Sequence, residues 1–269
     1  MEKIKRSMKR GHFSRSRSLA DFNQRFYPNF LENNIDLALK RNNKVRVLEV
    51  GCGEGRVLME LRKLYPQIEL FGINKKPWVV MQGQKSLKVV GTYYKIFSKK
   101  EMNKVNFPQI FFYDAVKLKF PQNYFDVIYS QVALPYFTRK DQFLEEVWRT
   151  LKRGGIALLH LDTISEKYPP FLPGPTPRFV IRSGKKNILF VSFIRNLKRK
   201  GFDITFFLKS KTNSKTSFGT YLVLRKNSAK KLNLKLQYNE NCSFELNELD
   251  PSKKETDVYW GFRSVYKLK

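Results

Sequence analysis

The stretch LEVGCGEGR, residues 48–56, sets three glycines within five positions between two apolar runs. Ahead of it, VRVLEV (45–50) is a continuous, largely β-branched run, the pattern of a strand buried on both faces. Behind it, RVLMELRKLY puts Leu58, Leu61 and Leu64 on one helical face, and Pro66 closes the segment. A glycine-rich turn from a buried strand into a helix lets the backbone approach a ligand closely.

Outward from this turn, strand and helix signals alternate. IELFGI (68–73), QIFFYDA (109–115), FDVIYSQ (125–131) and IALLHLD (156–162) read as further strands. PWVVMQGQKSLKVV (77–90) reads as a helix weakened by Gly83. RKDQFLEEVWRTLKRGG (139–155) reads as a helix capped by Asp141, with Phe143, Leu144, Val147, Trp148 and Leu151 as its buried stripe and a stop at Gly154 or Gly155. FYPNFLENNIDLALKRNN supplies a short helix before the first strand, and NILFVSFIRNLKRKG a helix ending at Gly201. FDITFFLKS and GTYLVLRK read as a closing strand pair. The expected fold is therefore α/β, an open, doubly wound, mainly parallel sheet. Residues 1–40 form a basic arm and helix, 41–227 the main domain with a proline-rich insertion at 163–186, and 228–269 a β-rich extension. In that extension Asn239-Glu240-Asn241 is a hairpin-turn signal between period-two segments.

The loop's ligand follows from its charges. A dinucleotide fingerprint G-x-G-x-x-G would need its third glycine where Arg56 stands. Glu49 and Glu54 would repel a pyrophosphate that needs bare backbone N–H groups. S-adenosylmethionine carries an ammonium and a sulfonium and no phosphate, so a carboxylate at Glu49 favours it.

The composition narrows the class. Only Cys52, Cys242, His12 and His160 are available as soft ligands, in no metal-binding spacing, which argues against a metal site and a disulfide framework and for a reducing, cytoplasmic compartment. No apolar run is long enough for a membrane span. The basic N-terminus, with Met1, Ile4 and Met8 on one helical face, leaves an organelle matrix as the alternative location. The formal net charge is +29, and between Glu166 and Glu240 the sole acid is Asp203 among many Lys and Arg residues. Such a surplus points to a polyanionic partner, with interleaved Phe179, Phe190, Phe193, Phe206 and Tyr221 as candidate stacking surfaces.

VRVLEVGCGEGRVLMEL resembles the first motif of class I S-adenosylmethionine-dependent methyltransferases. YDAVKLKFPQNYFDVIYSQVALPYF and FLEEVWRTLKRGGIALL resemble later motifs of its ubiquinone-biosynthesis-like branch, with Arg153 in place of a usual proline. The resemblance spans about residues 43–162. It implies a Rossmann-like seven-stranded sheet and S-adenosyl-L-methionine as cofactor. Glu49, Gly51, Cys52, Gly53 and Gly55 would line the methionine half, while Asp114 and Ala115 would meet the adenine. Ser130 and Gln131 would flank the methyl group. Asn74 stands where an acid should clasp the ribose hydroxyls, followed by Lys75 and Lys76, so weaker cofactor affinity is expected. Asp126 reads as a structural acid. Tyr136, Tyr27 and His160 are the candidates for a general base, a lone His at a strand end such as His160 being more often a packed residue. The segment SQVALPYF carries no Asn-Pro-Pro-Tyr or Asp-Pro-Pro-Tyr motif, and no cysteine stands where a covalent pyrimidine methyltransferase would need one. The charge favours a nucleic-acid substrate, RNA before DNA. A small-molecule or lipid acceptor, or an inert nucleic-acid-binding module, remains open.

Overall fold

The computed structural model describes residues 18–25, 28–77, 82–131, 133–134, 137, 139–164, 179–183, 186–188, 190–209, 218–245 and 260–268. Two helices, α1 (Leu19–Arg25) and α2 (Phe30–Leu39), precede β1 (Arg46–Val50). The glycine turn leads into α3 (Arg56–Leu64) and β2 (Glu69–Asn74). Next come α4 (Gln84–Tyr93), the single turn α5 (Lys99–Met102), β3 (Gln109–Phe112) and β4 (Phe125–Ser130). The sequence continues through α6 (Lys140–Thr150), β5 (Leu151–Ile164), β6 (Phe179–Ser183), β7 (Lys186–Ile188) and α7 (Phe190–Arg199). It ends with β8 (Asp203–Lys209), β9 (Phe218–Arg225), β10 (Leu236–Glu245) and β11 (Trp260–Leu268).

Seven strands form the main sheet in the order β3-β2-β1-β4-β5-β9-β8. The first five are parallel, and β9 enters antiparallel between β5 and β8. This is the doubly wound, seven-stranded α/β sheet that the sequence implies. Alternate residues of the β-branched runs feed two cores. Leu48, Val50, Ile128 and Leu159 pack with Phe143, Val147 and Trp148 of α6 and Ile194 and Leu197 of α7. Val47, Val127, Tyr129 and Leu158 pack with Phe22 of α1, Ile35 of α2 and Leu58 and Leu61 of α3. A Ser18–Asp21 pair starts α1, each backbone N–H bonding the other's side chain at 2.7 and 3.0 Å, and Leu19 N donates to Glu60 of α3. The N-terminal helix is thereby tied to the helix that follows the glycine turn.

A second sheet runs β10-β11-β6-β7. Its β10–β11 and β6–β7 pairs are antiparallel, while β11 lies parallel to β6. Strands from the insertion and from the tail therefore complete one another. This sheet rests on the start of α6: Tyr266 is fully buried and its hydroxyl accepts from Lys140 N at 2.9 Å, beside Ile181, Leu134 and Phe143.

Local departures from the sequence reading have physical causes. Helix α4 starts after Gly83, whose φ of 88° suits a boundary and not a helix interior. Helix α6 stops at Thr150, not at Gly154, because Leu151 already pairs with Phe125 in the β5–β4 ladder. Asp141 does not cap α6; it sits in the first turn and grips the Arg139 guanidinium with bonds of 3.0 and 2.8 Å. Asn239-Glu240-Asn241 makes no hairpin turn, since β10 runs straight through it opposite β11 and absorbs the extra residue as a bulge.

Candidate functional site

The carboxyl ends of β1 and β2 and the segment after β3 enclose a cleft lined by Gly51, Ile73, Asn74, Lys75, Tyr113, Asp114, Ala115, Val116, Phe137 and Arg139. Its cavity volume is about 90 Å³, and the cleft opens to solvent. Four residues expected from the sequence, Gly51, Asn74, Asp114 and Ala115, thus come together on its wall. Tyr113, Val116, Phe137 and Arg139 were not foreseen. The first two flank the Asp114-Ala115 pair and could have been read from it, whereas Phe137 and Arg139 arrive through the β4–α6 segment, which has no such local signal.

The glycine turn is built from left-handed backbone. Gly51, Gly53 and Gly55 have φ of 73°, 56° and 79°, a region L side chains avoid. At Gly51 space also forbids a side chain, since an added Cβ would stand 2.3 Å from Ala133 Cβ. At Gly53 nothing lies within 4 Å of that position, so the backbone there is open to a ligand. Arg56 begins α3, pairs with Glu60 at 2.9 Å and lays its guanidinium 4.1 Å from the centre of the Tyr94 ring.

Asn74 holds this turn closed. Gly53 N donates to its Oδ1 at 3.1 Å, and its Nδ2 donates to Gly53 O at 2.9 Å. A carboxylate could accept the first bond but would face the carbonyl oxygen in place of the second. The neutral amide, read from sequence as a deficient ribose partner, is here a two-point staple on the glycine turn.

Glu49 lies behind the turn, only 4% exposed, and accepts from the Tyr129 hydroxyl at 3.0 Å. Burial raises its pKa from 4.5 to about 8, the tyrosine bond opposing and Glu60 adding to the rise. Burial and the Glu49 charge push the Cys52 thiol well up as well, so it stays protonated and is no nucleophile. At the cleft mouth Lys75 Nζ pairs with Asp114 Oδ2 at 3.1 Å, and Asp114 Oδ1 accepts from Val116 N at 3.2 Å.

Ser130 and Gln131 are buried at the end of β4 and are not among the residues lining the cleft; Ser130 Oγ has no hydrogen-bond partner among the described residues. His160 is 1% exposed on β5, its ring 5.0 Å from that of Tyr221, which fits a packed residue. Tyr136 and Tyr27 lie outside the described residues. Asp126 is a structural clamp, accepting from Asn42, Arg46 N and Lys152 at 2.7–2.9 Å.

This donor set suits a ligand that brings its own cation. The Glu49 carboxyl, buried behind the turn and not among the cleft-lining residues, gains most from a positive charge; Gly53 carries no side chain to obstruct approach, although Asn74 holds its N–H and C=O; and Asp114 offers an acceptor at the cleft wall. Fold and cleft together define a doubly wound nucleotide-cofactor domain. Residues 48–159 match the family profile described as a methyltransferase domain. The chain is 28% identical over 110 residues to an uncharacterized methyltransferase of Schizosaccharomyces pombe, covering 41% of this chain and 37% of that protein. It is 26% identical over 112 residues to a sterol 24-C-methyltransferase of Aspergillus fumigatus, covering 42% of this chain and 26% of that one. Over 59 residues it is 41% identical to a ubiquinone/menaquinone biosynthesis C-methyltransferase of Chromobacterium violaceum, with 22% and 24% covered. The chain thus spans between about a quarter and just over a third of the length of these relatives.

Proposed function

We propose that this chain transfers a methyl group from S-adenosylmethionine to a small-molecule or lipid acceptor. The reading rests on one conjunction: the methyltransferase-domain match over residues 48–159 coincides with a cleft that gathers Gly51, Asn74, Asp114 and Ala115 in front of a buried Glu49. The small acceptor is supported by relatives named for sterol and quinone methylation.

When bound, the cofactor supplies an electrophilic methyl group on a sulfonium, with a neutral thioether as leaving group. Glu49 would ionise against the methionine ammonium and hold that end. Gly51 and Gly53 let the chain pass close by, and Asn74 fixes their conformation. Asp114, paired with Lys75 in this structure, would accept from the adenine amine. Phe137 and Arg139 close the far wall. The residues contribute orientation and exclusion of water, which suffice for an in-line displacement with a good leaving group.

A nucleic-acid acceptor is the second reading, favoured by the +29 charge. Both are tested by incubating the protein with cell extract and methyl-labelled S-adenosylmethionine. Label that passes into organic solvent and survives nuclease supports the small acceptor. Label released by ribonuclease or deoxyribonuclease overturns it in favour of RNA or DNA.

A further inference from the structure

Part of the positive charge of the C-terminal half gathers at the end of the sheet opposite the cleft. In the β9 ladders Arg225 is the register partner of both Ile156, near the start of β5, and Asp203, the start of β8. Since β5 runs parallel to β4 and β1, this locates Arg225 at the amino ends of the parallel strands, opposite the cleft at their carboxyl ends. The last turn of α7 and the segment after β9 converge on the same place. Lys230 Nζ donates to Lys200 O at 3.2 Å and lies 5.3 Å from the centre of the Phe202 ring, and Asn227 Nδ2 donates to Gly201 O at 3.1 Å. Lys198, Arg199, Lys200, Arg225, Lys230 and Lys231 are all exposed around this junction. Among the described residues none of the six forms an ion pair with a carboxylate. Asp126, the buried acid at that end, is already held by Lys152.

We propose that this amino-end face docks the phosphate backbone of double-helical nucleic acid, away from the site of methyl transfer. Six exposed cations around one junction, with no carboxylate partner among the described residues, form a phosphate-binding footprint. The apolar side chains beside them point inward: Phe193, Ile194, Leu197, Phe202 and Tyr221 are at most 7% exposed. That leaves Phe193 and Tyr221 in the core and unable to stack on splayed bases, and it turns Phe193, Ile194 and Leu197 of α7 away from any bilayer. Backbone contact with a duplex needs neither. The proposal goes beyond the methyl-transfer reading and does not depend on it.

The test is fluorescence anisotropy of the full chain with labelled duplex RNA and duplex DNA, a single strand, and phosphatidylcholine–phosphatidylglycerol vesicles. Binding to duplex should fall about a thousandfold between roughly 50 and 200 mM salt, with little dependence on sequence. In the triple variant Lys198→Gln, Arg199→Gln, Lys200→Gln, the slope of log affinity against log salt should fall by about three. Melting temperature and S-adenosylhomocysteine affinity should match the wild type, since these side chains are exposed and far from the cleft. A wild-type slope in the triple variant overturns the assignment of this face. Preference for the single strand or for vesicles overturns the choice of a duplex, and absence of binding overturns the proposal altogether.

Discussion

At the carboxyl ends of β1 and β2, the charged groups of the cleft are held by the chain itself. Asp114 meets Lys75, Arg139 meets Asp141, and the buried Glu49 meets the Tyr129 phenol. At the amino ends of the same sheet, around Lys200 and Lys230, charge is left facing solvent. The first arrangement suits a small ligand whose own charges are exchanged one for one against internal partners. The second suits a partner that acts through summed potential over a distance of about one Debye length. One sheet can therefore carry both a small-ligand cleft and a strongly basic surface, and the net charge need not describe the ligand of the cleft.

The comparison breaks most sharply at Glu49. Glu49→Gln should weaken S-adenosylhomocysteine binding by about tenfold to a hundredfold in calorimetry, the range for a lost charge-assisted bond. Because the folded pKa of Glu49 is raised from 4.5 to about 8, binding an ammonium beside it releases a proton. Wild-type affinity should therefore climb as pH rises toward about 8, and the Gln variant should lose that dependence. The ligand-free protein moves the other way. A raised acid stabilises the fold through its neutral form, fully below pH 4.5, and that contribution is lost as pH rises through about 8. The variant should accordingly melt above the wild type in alkaline buffer. A pH-independent wild-type affinity would sink the assignment of Glu49 to the ammonium.

A smaller effect is expected at Asn74, and its sign decides between sequence and structure. As a deficient ribose partner, Asn74 should improve on replacement by Asp. As a staple it should not, because a carboxylate loses the bond to Gly53 O and faces that oxygen instead. Asn74→Asp should lower unfolding stability by about 1–2 kcal/mol and weaken the S-adenosylhomocysteine complex severalfold, with KM for the cofactor rising and kcat little changed. Tighter binding by the Asp variant would restore the ribose reading.

How much could be read in advance differs by region for a physical reason. The glycine turn and its flanking runs are local signals: β-branched strands, left-handed glycines and a helical stripe each depend on a few neighbouring residues. They indicate the doubly wound sheet and four of the ten residues that line the cleft. What the sequence hid is non-local. The pairing of Ser264 with Phe179 joins tail to insertion across intervening secondary structure. The same ladder network overrides the turn signal at Asn239-Glu240-Asn241, because β10 gains a long partner in β11 by staying extended. Leu151 is taken from the helix for the start of β5 in the same way, and Tyr129 becomes a partner of Glu49 only through the β1–β4 register. Asn74 was noticed as an oddity, but its function depends on which way its amide faces, and spacing carries no such information.

The finest probe of the comparison is the Lys75–Asp114 pair, the cleft's most exposed internal answer to charge. Lys75 is 77% and Asp114 43% exposed, so water and salt screen the pair and its contribution is small. It still competes with the adenine amine for Asp114. Lys75→Gln should therefore raise S-adenosylhomocysteine affinity by less than about threefold at low salt, without altering melting temperature. The advantage should vanish as salt rises, because screening releases Asp114 in the wild type too. A variant that binds more weakly at every salt concentration would mean that Lys75 touches the ligand itself. In that case the cleft would keep a cation for its own use, and the contrast with the amino-end face would be one of degree.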